Sequence, residues 1–192
     1  MDAYEALITR ASPVELCDPA PDEATEQKII VAALRAPDHG RLRPWRFISI
    51  RGEGRAFLGG VLASALSRRD PNATEDALQR ERKKPLRAPL VLVVAARIVE
   101  SPKIPAIEQM LSAGAAAQNI MLASHALGFG ALWKTGDPAY DAGVKEALGL
   151  QATDAIVGFL YIGTPKAMPK SPVPLNPWDF VRTWPSSSNT MA

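Results

Sequence analysis

Read by hydrophobic periodicity, the chain alternates short amphipathic helices with apolar strands. Asp2 to about Arg10 forms a helix with Ala3, Ala6 and Leu7 on one face, and Ala11, Ser12 and Pro13 stop it. A second helix spans Glu23 to Arg35, with Asp22 as its cap, acidic residues in its first turn and an apolar side of Ile29, Ile30, Ala33 and Leu34. Pro37 forbids its continuation. "WRFISIR" (Trp45 to Arg51) reads as a strand whose two faces are not cleanly opposed. Phe57, Val61, Leu62 and Leu66 mark a third helix, and Glu75 to Lys83 a polar one. "LVLVVAA" (Leu90 to Ala96) is apolar throughout, the pattern of a strand covered on both faces. "ALWKT" (Ala131 to Thr135) and "AIVGFLYIG" (Ala155 to Gly163) are further strands, with a helix from Pro138 to Leu148 between them.

The longest element runs from Pro105, which opens a helix well, to Gly128, which closes one. Its polar residues are ordered. Glu108, Ser112 and Asn119 fall within about 40° of one another on a helical wheel, and most of the rest is apolar or small. Such a helix belongs in the middle of a protein. The segment after Gly163 is proline-rich and extended, yet carries Trp178, Phe180, Val181 and Trp184, so it docks on something. Residues 185–192 read as a mobile tail, and 1–184 as a single domain.

Composition narrows the function classes. A chain of 192 residues can bury about 70% of its unfolded surface without a staple. Its one cysteine, Cys17, allows no internal disulfide and fits a reducing, cytoplasmic setting. A net charge of +2 is too small to argue for nucleic acid, and the basic run "RERKKPLR" (Arg80 to Arg87) reads as a solvated helix end. The N-terminus lacks the layout of a signal peptide, and no uncharged apolar stretch is long enough for a membrane span. Two histidines without a carboxylate cluster leave no metal site, and the hydrolase and nucleotide-loop motifs are absent. "GFGALWK" follows a helix and precedes a strand, the reverse of a dinucleotide fingerprint. Strand–helix alternation alone would suggest a doubly wound α/β protein, but the phosphate fingerprint of such folds is missing. What remains is cationic and hydroxyl groups at element ends: Arg10 and Ser12, then Arg35, His39, Arg41 and Arg43, then Lys134 and Thr135. An arginine beside a hydroxyl suits a phosphate monoester, although each residue taken singly has an ordinary structural role.

The stretches "MDAYEALITRAS", "RAPDHGRLRPWRF", "IRGEGR", "RAPLVLVVAA", "EQMLSAGAAAQNIMLASHALGFGALWKT" and "IVGFLYIGTP", in that order, resemble the FMN-dependent nitroreductase family, in its small YdjA-type branch of NAD(P)H nitroreductases. The resemblance implies an α+β fold: a mixed, largely antiparallel sheet flanked by helices, with a long central helix, in an intertwined homodimer with flavin mononucleotide (FMN) at the subunit interface. Carried over by position, it makes Arg10, Ala11, Ser12, Trp133, Lys134 and Thr135 FMN contacts, with Arg35 and His39 reaching the flavin held mainly by the other protomer. Ala123, Ser124, His125, Ala126, Leu127 and Gly128 correspond to a nicotinamide-nucleotide contact. The implied activity is ping-pong transfer from NADPH or NADH through flavin N5 to a nitroaromatic, quinone or similar acceptor. No side-chain nucleophile is needed, because the flavin carries the chemistry. A flavin-binding protein with a storage or sensing role is the alternative. The chain departs from the family pattern at Ala11, where a second arginine is usual, and at Lys134, where arginine is common. Arg41 and Arg43 stand where relatives are often neutral, which points to an anionic substrate or the phosphorylated nicotinamide.

Overall fold

The architecture is organised by the strand with the least polar sequence. In the computed structural model, which describes residues 1–101, 103–167, 169 and 173–184, β3 (Leu90–Ala96) is buried at every position. It lies between β2 (Trp45–Arg51) and β5 (Ala155–Pro165), in register Trp45 to Ala96 and Leu90 to Ile162. A bulge at Val157 lets Val94 face Gly158 while Ala95 faces Ile156. β5 also pairs with β4 (Gly130–Lys134) and, at its far end, with the two-residue β1 (Leu16–Cys17). Every one of these pairings is antiparallel. The mobile tail expected at 185–192 lies outside the described residues.

Alternation along the strands sorts the core into two layers. Leu90, Leu92, Val94, Leu160 and Ile162 face α2 (Glu23–Ala33) and α5 (Ala106–Ala126). Val91, Val93, Ile156, Phe159 and Tyr161 face the opposite way, toward α3 (Glu53–Arg69) and α6 (Ala142–Ala147), with α4 (Glu75–Lys83) packed on α3. β2 alternates more cleanly than its sequence promises. Trp45 and Phe47 join the first layer, and Ile48 and Ile50 the second. α5 is the long central helix. Its Ala113, Ala116 and Ala117 are fully buried, and so is Ile120, whose burial stabilises the fold by roughly 1.5–3 kcal/mol. Buried Gln109 is fully employed: its amide bonds both backbone groups of Val99 and the carbonyl of Ile104, fixing the β3–α5 connection.

Two local expectations change. The helix expected over Pro138 to Leu148 is broken: a short turn at Asp137–Ala139 precedes α6, which starts only at Ala142. Asp141 is the reason. Its carboxylate accepts from Val144 N at 2.9 Å and from the Arg68 guanidinium at 2.7 Å, so it caps a new helix. Burial pushes this carboxyl up, but Arg68 and the backbone N–H groups outweigh that and hold it below the usual carboxylate value. In α1 (Ala3–Thr9) the apolar face is also not what periodicity suggests: Ala6 is buried, whereas Leu7 and Ile8 are exposed.

α3 and α4 touch at backbone distance. A Cβ on Gly59 would meet the carbonyl of Arg82 well inside contact distance, whereas one on Gly60 would meet nothing within 4 Å. Neighbouring glycines in one helix therefore respond oppositely to alanine. Gly59→Ala is expected to destabilise the protein by about 1–3 kcal/mol, and Gly60→Ala to stabilise it by about 0.5–1 kcal/mol, in urea unfolding curves. Equal shifts for the two would contradict the close α3–α4 approach.

Candidate functional site

The polar stripe on α5 acts as a latch. Asn119 Nδ2 donates to Ala32 O at 3.1 Å, Ser112 Oγ donates to Pro37 O at 2.7 Å, and Glu108 Oε2 accepts from His39 Nδ1 at 2.5 Å. All three targets lie on the end of α2 and the connection after it. Carbonyls at and beyond a helix end can accept from side chains: Ala32 O, which also accepts from Arg35 N at 3.1 Å, takes Asn119, and Pro37 O takes Ser112. The connection then turns through Gly40 (φ 68°), Arg41 (φ 56°) and Arg43 (φ 50°), with Arg43 N donating to Asp38 Oδ2 at 2.8 Å. Gly40 lies against Ile104. Arg35, His39, Arg41 and Arg43 are all exposed as a result.

A second group forms where α1 ends. Arg10 Nη1 donates to Ser12 Oγ at 3.3 Å, with Ala11 partly buried between them. Ser12 opens onto a cleft of about 590 Å³ whose lining includes Pro13, Val14, Glu15, Lys166 and Ala167. Lys166 Nζ stands 3.4 Å from Glu15 Oε2. Sequence reading passed over Lys166, because it lies in a stretch dominated by prolines. Its pairing signal is three-dimensional, arising from β1 against the end of β5.

The C-terminus of α5 lies beside this group. Thr9 Oγ1 donates its one proton to Glu5 O at 2.6 Å, so at 3.0 Å it accepts from His125 Nε2, which is thereby the protonated nitrogen. Gly128 (φ 86°) ends the helix: its N–H bonds His125 O, and Phe129 N bonds Ser124 O. Of the segment from Ala123 to Gly128, Ser124 turns into the core, where its hydroxyl bonds Ile120 O. Ala126, Leu127 and Gly128 are exposed, and Ala123 and His125 are half-buried.

β4 divides the third group. Trp133 is half-buried on the α5 side, its indole N–H donating to Val157 O at 3.2 Å. Lys134 follows Leu132 to the other side and, with Thr135, lines a separate cavity of about 240 Å³. Arg10 and Ser12 are thus not gathered with Lys134 into one cavity of this chain. The α1, α2 and α5 side also carries uncovered apolar groups: Tyr4, Leu7 and Ile8, then Val31 and Leu34, then Ile107 and Leu111. The segment 173–184 leaves Trp178, Phe180 and Trp184 exposed.

The sequence profile of the Nitroreductase family matches residues 16–164. The chain is 42% identical over 166 residues to "Putative NAD(P)H nitroreductase YdjA" of Escherichia coli K12, covering 86% of this chain and 90% of that protein. It is 38% identical over 165 residues to a "Putative NAD(P)H nitroreductase" of Haemophilus influenzae, covering 85% and 89%. Among solved structures it resembles a nitroreductase-like family protein from Bacillus cereus (TM-score 0.82, 24% identity, 97% of both chains). It also resembles a variant of NfnB, an FMN- and NADPH-dependent nitroreductase from sphigopyxis sp. strain HMH (TM-score 0.75, 23% identity, 96% and 99% of the chains).

The latch contacts differ in worth. Ser112 is buried and Pro37 O accepts no other hydrogen bond among the described residues, so Ser112→Ala is expected to cost about 1–2 kcal/mol in urea unfolding. Glu108 and His39 meet at the surface, where Glu108→Ala should change stability by less than about 1 kcal/mol. The reverse order would show that the surface pair, not the buried hydroxyl, holds the connection.

Proposed function

This chain belongs to the Nitroreductase family, and on that footing we propose that it is an NAD(P)H-dependent oxidoreductase that binds FMN. The observation that carries the proposal is the Arg10–Ser12 pair at the mouth of the cleft shared with Lys166. That donor set fits the phosphate end of FMN: a guanidinium offers charge-assisted bonds, the hydroxyl a further donor, and Lys166, whose charge Glu15 balances at 3.4 Å, a third donor. Ala11 contributes backbone between them. On the same reading, the ends of β4 and of α5 border the flavin and the nucleotide: Trp133, Lys134 and Thr135 for FMN, and Ala123 to Gly128 for the nicotinamide.

When bound, FMN supplies the redox chemistry, accepting hydride from NADPH or NADH at N5 and returning electrons to a nitroaromatic, quinone or similar acceptor. The side chains bind, orient and exclude water. A cationic group held near the flavin's pyrimidine end favours its anionic reduced form electrostatically. Arg35 and His39 are exposed and can serve this role toward a flavin held by a second copy of the chain. The latch from α5 limits their freedom and so presets their direction.

A homodimer is part of the proposal, and uncovered apolar surface supports it. Tyr4, Leu7 and Ile8 on α1, Val31 on α2, Leu34 just after it, and Ile107 and Leu111 on α5 are exposed, and the aromatic residues of 173–184 supply an arm to cover such a surface in a partner. A cytoplasmic location belongs to the same reading. Among the described residues no helix is long and apolar enough to cross a membrane.

The purified dimer is expected to be yellow and to be bleached by NADPH or NADH under anaerobic conditions. Arg10→Ala should lower bound FMN about tenfold or more while leaving the circular dichroism spectrum intact. Full flavin occupancy in that variant removes the phosphate role. A yellow protein that no nicotinamide bleaches would instead be a storage or sensing flavoprotein.

Arg41 and Arg43 bear on which nucleotide is used. If they receive the 2′-phosphate, Arg41→Ala and Arg43→Ala should raise KM for NADPH about tenfold and leave KM for NADH nearly unchanged. An unaltered NADPH/NADH ratio in both variants ends that assignment.

A further inference from the structure

The basic run Arg80 to Arg87 is more than a solvated helix end. It turns at Lys84–Arg87, and Lys84 and Arg87 come to line the 240 Å³ cavity together with Leu62, Lys134, Thr135 and Tyr161. The cavity lies on the α3 side of the sheet, away from the Arg10–Ser12 cleft, because Lys134 and Tyr161 share the strand faces of Leu132 and Phe159. Its volume is that of roughly eight waters in the liquid. A flavin or a nucleotide does not fit such a space, which is smaller than common cofactor pockets.

Its chemistry is that of an anion receptor. Four charged groups lie at or near the cavity: Lys84, Arg87, Lys134 and Glu81. Lys84 is committed to Glu81, its Nζ 2.5 Å from Oε1, so that pair is neutral. Arg87 and Lys134 have no ion pair or side-chain hydrogen bond among the described residues. Tyr161 is 6% exposed, and its hydroxyl has no hydrogen-bond partner among the described residues. Burial pushes the phenol up to about 12, with Arg87 pulling it down and Glu81 pushing it up, so the hydroxyl keeps its proton near neutral pH and can donate. Thr135 adds a second hydroxyl at the rim.

We propose that this cavity binds a small tetrahedral oxyanion, inorganic phosphate or a small phosphate monoester, between Arg87, Lys134 and the Tyr161 hydroxyl. The two cations neutralise a dianion, and the Tyr161 hydroxyl supplies a neutral donor beside them. The inference does not depend on the flavin reading, because Lys134 acts here through its side chain, while its segment can border a flavin through backbone atoms.

Calorimetric titration of the full-length protein as purified, at constant ionic strength, tests it. Inorganic phosphate or methyl phosphate is expected to saturate one site per chain, whereas sodium chloride gives no saturable heat. Preference for methyl phosphate would identify a monoester as the ligand, and preference for phosphate the free ion. Arg87→Met and Tyr161→Phe should each weaken binding about tenfold without changing flavin content. Arg10→Ala should leave it unchanged. Absence of saturable binding in the wild type overturns the proposal, as does wild-type affinity in both cavity variants. Loss of binding in Arg10→Ala also overturns it, by placing the anion in the other cleft.

Discussion

The structure depends on how α5 holds the chain that leaves α2. An apolar helix packed on a sheet is free to slide along its own axis unless something directional stops it. Asn119, Ser112 and Glu108 provide that stop along a single stripe, against Ala32, Pro37 and His39 in order. Each bond adds only about 1 kcal/mol net, far less than the burial of the alanines and Ile120 beside them. Their contribution is therefore orientation more than stability. They convert a connection that could wander into one that presents four cationic or titratable side chains, Arg35, His39, Arg41 and Arg43, in a set direction.

The other constraint is the two-residue period of β4. Residues adjacent in sequence must project to opposite faces of a sheet, so Trp133 and Lys134 cannot both point at one ligand. Family resemblance treats Trp133, Lys134 and Thr135 as one segment. The backbone of that segment can border one molecule, while its side chains divide between two environments. Trp133 seals the α5 layer against Val157, and Lys134 joins Tyr161 and Arg87 on the reverse side.

Legibility in the sequence followed the strength of local signals. β3 was evident from seven unbroken apolar residues, and α5 from its opening proline, its closing glycine and its polar stripe. The stripe's purpose was not evident, because its partners lie some 70 to 90 positions away and no periodicity encodes them. β1 has only two residues, too few for any period to show. The break before α6 required knowing that Arg68 would meet Asp141. Arg10 and Ser12 were found because they are two residues apart. Lys166 was not, since only the β1–β5 pairing brings it to the same cleft.

The backbone around Arg41 and Arg43 bears on whether this surface serves folding or recognition. Both residues adopt left-handed conformations, which cost a residue with a Cβ about 1–2 kcal/mol each and which glycine or asparagine would occupy more cheaply. Nothing in the interior requires arginine at either place, because both side chains are exposed and neither makes an ion pair or side-chain hydrogen bond among the described residues. The chain is held at both ends of this turn, by Gly40 against Ile104 and by Trp45 paired with Ala96, so the strain cannot relax by sliding. A fold selected for stability alone would replace these arginines. They stand on backbone that costs stability, beside a connection that α5 has already fixed, which is where the proposed nucleotide contact draws its support.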